Sequence, residues 1–166
     1  MPSKIMLCVL ALAVSSTACG QSLTEKAEKD ELYFAKKDDK DMELAYRQAK
    51  DGLEDFLATS RNPPSGHSDF SVKIGITEGD DTEYFWVSPF REQAGSFVGT
   101  LNNEPRMVTS VQLGQEINFS RDQIVDWLYH HNGKMVGNFT ACAMLKSEPE
   151  AERQAFERRF GLRCGA

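Results

Sequence analysis

The chain has 166 residues, with 25 acidic against 19 basic side chains and a formal net charge of −6. That length suits a single domain with a buried core. The acidic balance, with no basic cluster in the sequence, argues against nucleic-acid binding and against a polybasic membrane-surface role, so the net charge reads as serving solubility.

At the N-terminus, Lys4 precedes an unbroken apolar run from Ile5 to Val14. The run is half the roughly 20 residues needed to span a bilayer. A positive start, a short apolar run and the small residues Ser15 to Ala18 form the pattern of a signal peptide. These small residues end at Cys19. The arrangement resembles the bacterial lipobox, in which cleavage leaves the cysteine as a lipid-bearing N-terminus, although Ser16 stands where leucine is commonest. Cleavage near Ala18 with an unmodified Cys19 thiol is the other reading. Lipidation is the one carried forward: several acyl chains anchor a protein that one chain holds only marginally, and no apolar helix follows Val14. By the same resemblance Gly20 carries no inner-membrane retention signal, which implies a lipid anchor at the periplasmic face of the outer membrane. Without lipid the chain is secreted or periplasmic. Residues 1–18 thus read as signal peptide, 19–40 as a charged flexible tether, and 41–166 as one domain, with Leu32 to Phe34 marking where order begins.

A helix is expected over Asp41 to Thr59, with Asp41 as N-cap, because Met42, Ala45, Tyr46, Ala49, Leu53, Phe56 and Leu57 recur at spacings of three and four. Gly52 costs about 1 kcal/mol there relative to alanine, which marks it as a point of close packing. Pro63 and Pro64 end the helix. From Phe70 the period changes to two: Phe70, Val72, Ile74 and Ile76 alternate with polar residues, "EGDD" turns, and "TEYFWVSPF" carries aromatics on both faces, as a central strand does. "GSFVGTL" and "QEINF" read as two further strands. "SRDQ" has the form of a capping box. "IVDWLYHH" and "MVGNFTACAML" read as strands joined by Asn132-Gly133, the strongest short hairpin signal, with the end of the second open to a helical reading. A last helix is expected from a Ser147/Glu150 capping box, with Ala151, Ala155, Phe156 and Phe160 on its apolar face and Gly161 and Leu162 at its end. The fold class expected is α+β: a strongly bent antiparallel sheet of about five strands, SH3-like or a partly open barrel, flanked by an N-terminal and a C-terminal helix.

Cys8 leaves with the signal peptide and Cys19 takes the lipid, so Cys142 and Cys164 remain. An even number of cysteines in an oxidising compartment favours a disulfide, worth about 3 kcal/mol for a loop of this size. The alternative is a buried apolar thiol at Cys142 and a loose end at Cys164.

The segments "FSVKI", "EYFWV", "FVGTLNNEP", "LGQEINFSRDQIVDW" and "GKMVGNFT" resemble, in order and spacing, the bacterial domain-of-unknown-function family 2314, the YegJ-like proteins. The resemblance covers residues 40–145, or to 160 with the last helix. It implies one compact domain and brings no activity with it.

Candidate site residues are few. Asn102, Asn103 and Glu104 could bind a polar ligand at the end of a strand, or form a turn, which is what Asn side chains next to a proline commonly do. Asp126 and Trp127 face opposite sides of a strand, with Trp127 in the core and Asp126 either bonding nearby backbone or serving as an acid. Trp86 is core or the floor of a groove. Lys73 and Glu83 could pair across strands. His130 and His131 diverge on a strand, and His67 is distant in sequence, so no metal is expected. No P-loop, dinucleotide fingerprint or nucleophile elbow occurs, and no cofactor is expected. The reading is an envelope lipoprotein that binds an envelope protein or a polar small ligand through Trp86, Asn102, Asn103, Glu104 and Asp126. The alternative is a small hydrolase-like enzyme using Glu104 or Asp126 with a histidine.

Overall fold

The computed structural model describes residues 39–165. The signal segment, Cys19 and the tether lie outside the described residues, apart from the tether's last two. Among the described residues the order is α1 (Lys40–Arg61), β1 (His67–Glu78), β2 (Asp81–Gln93), β3 (Ser96–Leu101), β4 (Glu116–Phe119), a 3-10 turn (Arg121–Gln123), β5 (Ile124–His131), β6 (Lys134–Gly137), α2 (Phe139–Leu145) and α3 (Glu150–Phe160). The strands form one antiparallel sheet in the order β4-β3-β2-β1-β5-β6. The α+β class holds, with six strands instead of about five. The sheet bends through irregularities in the β1/β5 and β2/β3 registers. It stays open, because β4 and β6 end it without pairing to each other.

The helix α1 forms where the apolar spacing puts it, and its buried stripe is Met42, Ala45, Ala49, Leu53, Phe56 and Leu57. Its N-cap is Asp39 and not Asp41: the Asp39 carboxylate accepts from the amides of Asp41 and Met42 at 2.9 and 3.3 Å. Asp41 lies inside the first turn and pairs instead with Lys146 at 2.6 Å. The helix presses Phe56 against Trp127, with ring centres 4.9 Å apart, in a cluster with Phe70, Phe90 and Tyr129. Val72, Ile74, Phe85, Val87 and Leu101 are fully enclosed beneath it. Burying side chains of this size stabilises by about 1.5–3 kcal/mol each. Four of these five lie on the two inner strands β1 and β2, in keeping with the aromatic-rich reading of "TEYFWVSPF".

One reading left open, the helical end of the returning segment, is the one observed, and two expectations about the last helix need correction. The returning strand after Asn132-Gly133 stops at Gly137, and "FTACAML" is the helix α2. Chain reversal at Asn138 (φ 56°) starts it, and the Asp126 carboxylate on β5 takes its first amides. The last helix begins at Glu150 after Pro149, without a Ser147 cap. The Ser147 hydroxyl donates to the Met144 carbonyl at 3.0 Å, and Glu150 bonds Arg153 and Gln154. Of that helix's apolar face only Phe156 is buried; it packs with Ala141, Leu145 and Leu162.

Cys142 and Cys164 form a disulfide across a sequence separation of 22, tying the C-terminal tail to α2. Replacing both with serine is expected to lower stability by about 3 kcal/mol, read as a lower urea midpoint with a steeper slope, since the unbridged denatured chain exposes more surface.

Candidate functional site

The stretch 102–115 between β3 and β4 contains no helix or strand, so its amides need partners from elsewhere. Carboxylates on β1 and β2 supply them. Glu83 is 2% exposed. Its oxygens accept from three consecutive amides: Arg106 at 2.9 and 3.2 Å, Met107 at 2.9 Å and Val108 at 3.1 Å. Glu78 accepts from the Thr109 amide and hydroxyl at 2.6 and 2.7 Å and from the Ser110 amide at 3.1 Å. The first turn of the stretch bonds to β2 itself. Asn103 Oδ1 accepts from the Trp86 amide at 2.5 Å, Asn102 Nδ2 donates to the Ser88 carbonyl at 3.0 Å, and the Asn102 amide donates to the Trp86 carbonyl at 2.9 Å. The amide side chains of "NNE" therefore build the turn, while Glu104 stays exposed.

Trp86 is half-buried on β2. The Lys73 ammonium lies 4.7 Å from its ring centre, an attraction worth about 0.5–2 kcal/mol. Lys73 does not pair with Glu83, because the register sets Glu83 opposite Ile76 and sets Lys73 between Trp86 and Asp126. Lys73 Nζ donates to Thr140 Oγ1 at 2.7 Å, and that hydroxyl donates to Asp126 Oδ2 at 2.6 Å.

Asp126 is fully buried. Besides the hydroxyl it accepts from the Thr140 amide at 2.8 Å, the Phe139 amide at 3.3 Å and the Trp127 amide at 2.8 Å. It thus acts as an N-cap for α2 from a neighbouring strand, while Asn138, at the usual N-cap position, makes no side-chain cap bond. Burial pushes the Asp126 carboxyl above its ordinary range, against Lys73 and the donated hydrogen bonds. Burial pushes the Lys73 ammonium down, against Asp126. The two charges compensate each other through the threonine.

The histidines collect at the far end of β5. His67 and His131 are cross-strand partners with rings stacked 4.2 Å apart, and His130 Nδ1 lies 3.4 Å from Asp69 Oδ2 without hydrogen-bond geometry. His130 is four residues beyond Asp126, about 13 Å along a strand. The structure therefore brings Asp126 to a lysine and a threonine and not to a histidine. No group of three metal-ligating side chains occurs among the described residues. Sequence reasoning missed the partners of Lys73 and Glu83, and the His67–His131 stack, because only the strand register reveals them.

A cleft of about 400 Å³ opens between the helices, lined by Leu44, Phe139, Lys146 and the disulfide among others, and one of about 230 Å³ lies beside Phe90 and Arg61. Neither Trp86 nor the 102–104 turn lines them.

This geometry has three testable outcomes. Glu83→Ala strands three consecutive amides, and the cost expected is about 3 kcal/mol or more, against a much smaller loss for exposed Glu78→Ala, both read by urea denaturation. Bonds from Thr109 hold the Glu78 carboxyl below its ordinary 4.5. Its contribution is therefore present above that value and is lost as pH falls through the lower folded value. Amide resonances of Thr109 and Ser110 should move in that window in the wild type and stay still in Glu78→Gln. Asp126→Ala removes the α2 cap and leaves Lys73 uncompensated, a loss of about 3–5 kcal/mol. The double variant Asp126→Leu, Lys73→Met should recover much of it, read from the same unfolding curves.

The chain is 29% identical over 149 residues to "Uncharacterized protein YegJ" of Escherichia coli (strain K12), covering 90% of this chain and 93% of that one. It is 32% identical over 88 residues to "Putative ankyrin repeat protein NMB1133/NMB1171" of Neisseria meningitidis serogroup B, covering 53% of this chain but only 35% of that longer protein. No solved structure matches significantly. A family model described as "Uncharacterized protein conserved in bacteria (DUF2314)" matches residues 39–164, the span that holds the sheet, the three helices and the disulfide, and the chain belongs to that family.

Proposed function

We propose that this protein is a lipid-anchored component of the bacterial envelope, at the periplasmic face of the outer membrane, whose α+β domain is a binding module. The contact surface runs over Trp86 and the turn at Asn102 to Glu104. The observation that carries this reading is the fixing of that turn. Asn102 and Asn103 bond it to β2, and Glu83 and Glu78 hold residues 106–110 just beyond it. Glu104 is thereby presented outward on a frame that needs no ordering on contact, and preorganisation of this kind raises affinity. The Cys142–Cys164 disulfide suits an oxidising compartment, and the Ser15–Cys19 pattern suits lipid attachment. The hydrolase alternative has less support, since Asp126 is committed to capping α2.

Asn103 is built into the fold, so a photocrosslinking residue belongs at Glu104. Irradiation of living cells is expected to give one discrete protein adduct, weakened by Trp86→Ala. No adduct from a folded, correctly located protein would overturn the protein-partner reading in favour of a small ligand or an enzyme. The intact mass should exceed that of the chain starting at Cys19 by a lipid increment, and an unmodified Cys19 would remove the anchor.

A further inference from the structure

We propose that the cleft between the β5–β6 hairpin, the last turn of α3 and the C-terminal tail is an anion site for a phosphate-bearing ligand, with Lys134, Arg158 and Arg163 as its cations. This goes beyond the binding surface at Trp86 and Glu104 and involves none of its residues. The cleft has a volume of about 310 Å³ and is lined by these three residues with Gln154, Glu157, Gly161 and Leu162, within the range of ligand pockets.

The charge distribution is the first argument. Carboxylates outnumber cations in this chain, and five of its surface cations are matched: Arg61 to Glu92, Arg91 to Glu116, Arg121 to Glu54, Lys146 to Asp41 and Arg153 to Glu150. Lys134, Arg158 and Arg163 are all exposed, and none has a side-chain ion pair or hydrogen bond among the described residues. Glu157 is the one carboxylate in the lining and leaves the cleft with a cationic excess. The preference of helix C-termini for basic residues accounts for Arg158. It does not account for Lys134, which comes from the hairpin, or Arg163, which comes from the tail.

The second argument is that the three positions are held together. The Met135 amide, next to Lys134, donates to the Gly161 carbonyl at 3.0 Å. The hairpin lies so close that a Cβ on Gly161 would be 2.7 Å from the Gly133 carbonyl oxygen. Leu162 is 1% exposed, and Cys164 is bonded to Cys142. Arg163 thus sits between two fixed neighbours. Cations from three directions, two of them guanidinium forks, match a dianion with several oxygens better than a single carboxylate. A soluble phosphate ester and a phospholipid headgroup share that chemistry.

The test uses the full chain in neutral detergent, titrated with inorganic pyrophosphate and followed by backbone amide shifts. The expected result is saturable change at Lys134, Arg158 and Arg163, weakened by salt. Each of Lys134→Gln, Arg158→Gln and Arg163→Gln should raise the dissociation constant about threefold to fivefold, and the triple variant should lose the response while keeping its unfolding midpoint. Reducing the disulfide should weaken binding by freeing Arg163 even where the domain stays folded. A response that persists in the triple variant, or that chloride at matched ionic strength reproduces, overturns the site. The full chain in phosphatidylglycerol discs, compared with phosphatidylcholine discs, separates the sources. Shifts at the three cations without added phosphate assign the headgroup, a response to pyrophosphate alone assigns a soluble ester, and no response in either arm overturns the proposal.

Discussion

The seating of the Trp127 indole is the constraint on which the rest of the fold depends. Its Nε1 donates to the Ala49 carbonyl of α1 at 2.7 Å, its ring stacks on Phe56, and its edge meets Phe139 at the start of α2. Two glycines make room for it. A Cβ on Gly52 would come within 2.7 Å of the ring, and one on Gly137 within 2.2 Å of the Trp127 carbonyl oxygen. One side chain thereby fixes the height of α1 over the sheet, the end of β6 and the entry to α2. The helix tolerates the cost of a glycine because alanine there would push α1 off the indole.

Around that apolar centre the connections are made by carboxylates, two of them buried (Asp126 and Glu83) and one exposed (Glu78). Asp126 joins β5 to α2 and balances Lys73, while Glu83 and Glu78 hold a long unpaired stretch against the sheet. Each replaces secondary structure with a charge-assisted bond to backbone N–H, among the stronger hydrogen bonds in proteins.

How far the fold was legible depends on the range of each signal. The spacing of Met42 to Leu57, the alternation from Phe70 to Ile76 and the Asn132-Gly133 turn (φ 51° and 74°) are local signals, and each led to the element observed. So did Gly52 as a mark of close packing. The cysteine count favoured the bridge that forms. Readings failed or stayed open where a distant residue decides. "FTACAML" is helical because Asp126, thirteen positions before Phe139, accepts its first amides. Lys73 sits beside Trp86 and Asp126, and Glu83 beneath the loop, because of strand register. Period-two alternation gives a residue's face but not its partner. The cationic cleft was illegible for the same reason: Lys134, Arg158 and Arg163 are scattered in an acidic sequence and meet only once the hairpin and the helix end are joined.

The open sheet has a consequence for how many copies of this chain can share one compartment. An unclosed sheet leaves two borders with unpaired backbone groups, the usual starting points for polymerisation. Here both outermost strands, Glu116–Phe119 and Lys134–Gly137, are four residues long, and past Gly137 the chain turns into a helix that lies alongside β5. A neighbouring chain finds only a few free ladder positions on either side, too few to hold a register. Shortness of the borders does for this sheet what closure does for a barrel: it keeps crowded copies from zipping into fibres.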